Sequence, residues 1–418
     1  MKRQEVLQLF DRQKDELIEL CRSILKAPSE NPPGDTKEVS RVILEYLEEN
    51  GISATTHETL PGRINILAEL GPDGGRELIY CGHSDTVPVG DLSRWDRDPF
   101  SGDLEEGILY GRGASDMKAG LTGQLFALAF LKRNAIPLKG KLKLVIVPDE
   151  ETGSHHGLVW LMEQGLIKGD GCLIGEPSGR LNPTIGQKGS GGFRLSVYGV
   201  SGHASLSPLI GRSAILDAYK AIDAVSKLTE KRIPVPEELQ ELVETSRFYG
   251  REEGLDHVSS IYDRISFNVG RIHGGTAANV IPDKCVVDID CRLPFGISRP
   301  EHYRRIRELL DSLDIRYDLE ETGFDSSANY TSPKDPVVKC VTDNISFVTG
   351  EKGYGVLQWA CSDARLFRQQ GIPVLQYGPA ILETIHSFNE RVEVENLLEC
   401  TKVYILAAMD YLNETVEA

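Results

Sequence analysis

His83 and Asp85 stand two residues apart at the end of the apolar run Leu78-Ile79-Tyr80-Cys81. A run that short reads as a buried strand, and residues at i and i+2 on a strand share a face. A carboxylate beside an imidazole can hold one ring nitrogen, set the tautomer and leave the other nitrogen for a metal. Taken alone, such a pair is better explained as a strand ending in a polar turn. More acids follow. Asp116 lies in Gly111-Arg112-Gly113-Ala114-Ser115-Asp116-Met117-Lys118, Glu150 and Glu151 in Asp149-Glu150-Glu151-Thr152-Gly153, and Glu176 in Gly175-Glu176-Pro177. Asp116 alone would serve as a helix N-cap. Three consecutive acids after an apolar strand repel one another unless a cation or a proton relieves them.

Each of these residues falls at the end of an expected element. Leu17, Leu20, Cys21, Ile24 and Leu25 repeat at helical spacing up to Pro28, and a second helix is expected over 37–49. Short strands follow near 65–70 and 78–81, and the polar, turn-rich segment 94–110 reads as surface loops. A helix is expected over 119–133, a strand over 141–147 running into the three acids, and a strand over 172–174 before Glu176. Alternating strands and helices make an α/β fold, in which ligands gather outside the carboxyl ends of the strands.

The pattern changes after Lys188. A strand over 193–200 leads to the turn Ser201-Gly202-His203-Ala204-Ser205 and a helix over 212–228. The charged stretch 232–258 reads as an insertion with a short helix. Strands are expected over 265–272 and 285–293, then a helix over 299–313 and a strand over 315–321. The order β-α-β-β-α-β is a ferredoxin-like split unit inserted as a second domain. The expected division is 1–187 and 326–418 for the first domain and 188–325 for the insert. The last part carries a helix over 336–350, a strand over 374–377, a loop with Ile385-His386-Ser387 and a closing helix over 394–413.

A chain of 418 residues is too long for one ordinary core. Its 40% hydrophobic and 26% charged residues are those of a soluble globular protein. A net charge of −17 argues against nucleic-acid and anionic-membrane partners, both of which need basic surface. The N-terminus shows no apolar signal core, and no stretch approaches the length of a membrane span. The eight cysteines are scattered without a Cys-x-x-Cys pair, so a reduced, cytoplasmic setting is expected.

With His386 added, these motifs resemble, in order, those of the co-catalytic zinc amidohydrolases and peptidases. That family includes acetylornithine deacetylase, succinyl-diaminopimelate desuccinylase, aminoacylase and glutamate carboxypeptidase. The resemblance covers essentially the whole chain. It implies a central mixed sheet flanked by helices, with the ferredoxin-like insert as a dimerisation domain. It also implies two zinc ions per subunit, with cobalt or manganese acceptable to the same donors. His83 and Glu176 would hold the first, Glu151 and His386 the second, and Asp116 would bridge them. Glu150 would be the general base, Asp85 the partner that orients His83, and Asp116-Met117 a non-proline cis peptide.

In the insert, the resemblance implies that His203 steadies the oxyanion across a homodimer interface, while Asn279 and Arg292 grip the substrate. An arginine fork suits a carboxylate. On their own, His203 reads as a surface turn residue and Arg292 as a strand residue paired locally. The implied reaction is cleavage of the amide bond of a small N-acyl amino acid or related amine; a dipeptidase or carboxypeptidase would need the same metals. A catalytically silent binding relative would show a broken ligand set, and here every ligand position and Glu150 are present. A succinyl group would need a second cation, for which Lys188, Arg292 and Arg365 are available. His155-His156 reads as a solvated loop, since adjacent side chains splay apart. Cys361, in Trp359-Ala360-Cys361-Ser362-Asp363, stands where relatives commonly show a Gly-Thr step before the aspartate, a departure that bears on substrate identity.

Overall fold

Four parallel strands carry the centre of the first compact unit: in order across the sheet, Lys141–Val147, Glu77–His83, Gly171–Ile174 and Val374–Gln376. The computed structural model describes residues 1–252 and 260–414. Arg63–Leu70 and Ala54–Leu60 extend the sheet antiparallel beyond Lys141–Val147, and Thr184–Gln187 does so beyond Val374–Gln376, so the sheet is mixed. Parallel strands covered on both faces need apolar side chains throughout rather than alternation. That is why Leu78 to Cys81 and Leu144 to Val147 are unbroken apolar runs, all of them buried.

The helix Ala119–Arg133 is buried from Ala119 through Leu131, as a helix apolar on every side must be. Phe10, on a helix Arg3–Asp11 that precedes the expected Lys14–Leu25, meets its Phe126 and Phe130 edge-on at 5.9 and 6.2 Å. The closing helix Val394–Asn413 is tied to the sheet by Tyr404, whose hydroxyl donates to the Tyr377 carbonyl at 2.6 Å. The fold of this unit is α/β, with helices flanking a central mixed sheet.

Segment 94–110 corrects the loop expectation. Asp103–Glu105 and Ile108–Tyr110 are strands, joined antiparallel to Arg391–Glu393 in a small separate sheet. Strands of three residues are too short to show alternation, and their partner lies far along the chain. The ladder fastens the residues just before Gly111 to those just after Glu390.

The first unit comprises 1–185, 331–355 and 362–418, and the second 186–330 and 356–361. Residues 356–361 thus belong with the second unit, whereas the expected division put them in the first. Within the second unit, Phe193–Tyr198, Ala214–Ser226, Ser266–Gly274, Lys284–Leu293, Arg299–Asp311 and Arg316–Glu321 follow as β-α-β-β-α-β. The sheet is antiparallel, with Lys284–Leu293 between Ser266–Gly274 and Phe193–Tyr198, and Arg316–Glu321 beyond. Phe193, Leu195 and Val197 alternate inward and meet Val287 and Ile289, with Ala218, Val225, Ile306 and Leu310 from the two helices. In the charged stretch 232–258, Gln240–Glu252 is helical, and 253–258 lies outside the described residues. Among the described residues, no helix is long and apolar enough to cross a membrane.

Candidate metal centre

The ends of the parallel strands converge on one place. His83 is the last residue of Glu77–His83, and Gly175-Glu176 leaves the neighbouring strand Gly171–Ile174 beside it, with the Gly175 N–H donating to the Cys81 carbonyl at 3.0 Å. Met117 packs under both: a Cβ on Gly82 would lie 2.8 Å from its Cε, and one on Gly175 3.0 Å. The His83 N–H donates to the Met117 sulfur at 3.2 Å. The peptide Asp116-Met117 is cis, as the resemblance implies.

Gly120, one turn on, approaches still closer. A Cβ there would sit 1.8 Å from the Gly175 carbonyl oxygen, which is backbone and cannot swing away. Gly120→Ala is therefore expected to cost roughly 1–3 kcal/mol, as overpacking does, and to lower activity by displacing Glu176. Thermal melting with a parallel assay checks this; an unchanged melting midpoint would show that helix and strand end part freely.

The geometry of the cluster turns on tautomers. His83 Nδ1 lies 2.9 Å from the Asp85 carbonyl oxygen, which can only accept, so Nδ1 carries hydrogen. The expected placement of Asp85 on the strand face is corrected here: the strand stops at His83, and Asp85 turns back. Its main-chain oxygen is the nearer partner, with Oδ1 at 3.4 Å. His83 Nε2 then faces Asp116 Oδ1 at 3.2 Å and Glu176 Oε1 at 3.6 Å. On the other side, His386 Nε2 lies 3.3 Å from Asp116 Oδ2 and 3.1 Å from Glu151 Oε1. Each oxygen of Asp116 thus serves a different histidine. Glu150 lies with His83 and Glu176 in one group able to surround an ion, and His83, Asp116 and Glu151 form another. The site opens at His386, whose side chain is 49% exposed against 2% for His83.

Carboxylates this close and this buried oppose one another's ionisation. Burial, then Glu176 and Asp363, raise the Glu150 carboxyl well above its usual range; burial and Asp116 do the same to Glu176. Asp116 is also largely shielded from solvent, yet the hydrogen bonds from His386 and His83 hold its carboxyl below the usual range. Asp116 and Glu151 in turn raise His386 to about 10. Two imidazole nitrogens aimed at a crowd of carboxylates call for protons or for cations between them.

The surrounding residues hold the cluster in shape. Asp85 accepts from the Asn31 amide at 2.8 Å and from the Glu150 N–H at 3.1 Å, linking His83 to the acid pair. Asp149 accepts the His156 N–H at 2.7 Å, so His156 anchors the loop through its backbone, while His155 is exposed. Asp363, fully buried, takes a hydrogen bond from the Ser154 hydroxyl. Glu390 accepts from Arg112 and from three backbone N–H groups of the Asp116 loop. Sequence reasoning missed Asn31, Asp363 and Glu390. The one signal for Glu390 was Arg112, a cation between two glycines that needs an acidic partner from elsewhere in the chain.

His203, Asn279 and Arg292 lie in the second unit. Gly202–His203 pairs with Val280–Ile281, and the Ala204 N–H donates to the Asn279 carbonyl at 3.1 Å, so the first two share one short ladder. His203 is exposed, its Nδ1 2.8 Å from the Ser205 hydroxyl. Arg292 donates to Asp290 at 3.0 Å and lies beside Cys361, whose thiol donates to the Lys188 carbonyl at 2.9 Å.

The family model for peptidase family M20/M25/M40 matches residues 79–410. The chain belongs to that family. It is a metal-dependent amidohydrolase. Among its relatives is a succinyl-diaminopimelate desuccinylase of Magnetococcus marinus, 31% identical over 400 residues, with 93% of this chain and 96% of the relative covered. Among solved structures, an M20 family metallo-carboxypeptidase of Sulfolobus solfataricus superposes with a TM-score of 0.80 at 22% identity, over 95% of this chain and 99% of that one. Human carnosine dipeptidase 1 superposes at 0.77 and 20%, over 99% of each chain. At those identities the two structures speak for the fold.

Proposed function

We propose that this M20 member hydrolyses the amide bond of a small N-acyl amino acid at a centre of two zinc ions. His83 and Glu176 would hold one ion, Glu151 and His386 the other, with Asp116 between them. The observation that carries this reading is the division of Asp116, one oxygen to each histidine, at 3.2 and 3.3 Å. The donor set fits: imidazole and carboxylate suit zinc, and cobalt or manganese as well. When bound, such a pair of ions polarises the amide carbonyl and makes water more acidic. Glu150 takes the water proton and returns it to the leaving amine, and Asp85 keeps His83 in the tautomer with Nε2 turned inward. Arg292 and Asn279 receive the substrate, the arginine taking a carboxylate, and His203 steadies the oxyanion of a neighbouring copy.

The desuccinylase relative puts N-succinyl amino acids first on the test panel. Amine release is measured from N-succinyl, N-acetyl and N-formyl amino acids and from dipeptides, using metal-stripped protein before and after zinc is added. Zinc-dependent release from one acyl class supports the proposal and names the substrate; release from dipeptides alone moves the reading to a dipeptidase. No release from any substrate by zinc-loaded protein counts against both.

A homodimer through the second unit is part of this reading. Ser266–Gly274 lies at the sheet edge with a single strand partner among the described residues, and edges of that kind recruit further strands. Leu216 and Tyr219, on one face of Ala214–Ser226, are 62% and 67% exposed. The double substitution Leu216→Glu, Tyr219→Glu is expected to be folded and monomeric in sedimentation velocity, with activity reduced through the loss of His203. A dimer that persists would clear this face of the role. A reduced, cytoplasmic setting accords with eight cysteines that form no disulfide among the described residues.

A further inference from the structure

We infer that Glu390 is the positioning residue of the metal centre: its carboxylate sets the place of Asp116 and locks it to the loop that carries His386. The inference rests on the two-ion reading above and adds a residue that touches neither ion nor substrate. Glu390 is 1% exposed and follows His386 by one short loop. Its Oε1 accepts the N–H groups of Ser115 and Asp116, each at 3.0 Å, and its Oε2 accepts the Gly113 N–H at 3.0 Å and Arg112 Nη1 at 2.6 Å. An ionised carboxylate offers about four acceptor sites, and four donors occupy them. No lone pair remains for a metal, so Glu390 acts through Asp116.

The backbone on either side repeats the attachment. The Gly111 N–H donates to the Glu390 carbonyl at 3.0 Å, Arg391 pairs with Tyr110, and the Ser115 hydroxyl donates to the Arg391 carbonyl at 2.8 Å. The loop between His386 and Glu390 is itself held firmly. His386 and Asn389 take left-handed φ of +56° and +58°, which non-glycine residues adopt at a cost that their surroundings must offset. Asn389 exchanges hydrogen bonds with Asp96 at 2.8 and 2.9 Å, and Phe388 packs edge-on against Trp95 at 6.2 Å, with the Arg94 guanidinium over the Phe388 ring, 4.0 Å from its centroid. A displacement of Glu390 is therefore carried to Asp116 through its N–H and to His386 through this loop.

The charge is required as well as the shape. In Glu390→Gln the amide nitrogen must face two donors, either Ser115 and Asp116 or Gly113 and Arg112. The experiment compares wild type, Glu390→Gln and Glu150→Ala as full-length protein. It measures zinc affinity by chelator competition, the visible spectrum with cobalt, thermal melting, and kcat and KM on the substrate the panel identifies. Glu390→Gln is expected to bind zinc roughly 10- to 100-fold more weakly, as loss of a ligand-supporting contact does. Its cobalt spectrum should shift, and kcat should fall with KM little changed.

A folded Glu390→Gln with wild-type zinc affinity and cobalt spectrum overturns the inference, including where only its melting point has dropped. Should that variant not fold, Arg112→Met carries the test. It leaves the three backbone donors in place and should weaken zinc severalfold; wild-type affinity there overturns the inference too. If wild type takes up no metal, the two-ion reading fails and this inference with it. If wild type and Glu390→Gln bind two ions equally well, the inference alone fails.

Discussion

Glu150→Ala is expected to keep its fold and its metal while kcat falls roughly 10²- to 10⁴-fold, the range in which a positioned acid–base group contributes. Glu150 opens the short turn Glu150–Thr152, and its N–H is bound to Asp85 Oδ1 at 3.1 Å. That contact belongs to the backbone, so truncating the side chain leaves the turn and the support of His83 in place. The carboxylate itself lies in one group with the His83 imidazole and the Glu176 carboxylate, close enough to serve as base or as ligand. Metal analysis beside the kinetics separates the two roles. Full metal with little turnover makes Glu150 the proton carrier; a matching loss of metal makes it a ligand; near-wild-type turnover removes it from the mechanism.

Asp116→Ala should be the most damaging single change. Among the described residues Asp116 alone lies within ion-pair distance of both histidines, so on the proposed two-ion reading, with Glu150 as base, its loss leaves His83 with Glu176 and His386 with Glu151, each set short of the three protein ligands usual for catalytic zinc. Both ions are expected to be lost on gel filtration. Removing one transition-state contact costs about 10²–10³ in kcat, and losing both ions should exceed that. The loop should still fold, because residue 116 reaches Glu390 through its N–H at 3.0 Å, which alanine retains. His386→Ala is the comparison, expected to shed one ion. An Asp116→Ala protein that holds two ions as firmly as wild type would end the bridging assignment.

Much of the scaffold was readable because its strands are buried on both faces. Leu78 to Cys81, Leu144 to Val147 and Cys172 to Ile174 are apolar runs that stop at a histidine or an acid, and a run that stops so abruptly marks a strand end reaching polar ground. The inserted unit was readable because its strands alternate, as in Phe193–Tyr198. Ala54–Leu60 was not, since it is an edge strand of mostly polar, half-exposed residues, Thr-Thr-His-Glu-Thr at its centre. Nor were Asp103–Glu105 and Ile108–Tyr110, whose ladder depends on Arg391–Glu393.

Residue type and local spacing were enough to determine that this chain carries imidazoles and carboxylates at element ends in an α/β frame, because both are properties of short stretches. The tertiary structure alone decided how those groups face one another. That Asp85 holds His83 chiefly through its carbonyl, that Asp116 divides its oxygens between two histidines, and that Glu390 gathers the Asp116 loop depend on distances in space. Chain closure costs only slightly more as the loop lengthens, so a residue nearly three hundred positions away can be as close a partner as a neighbour. No local pattern records which one it will be.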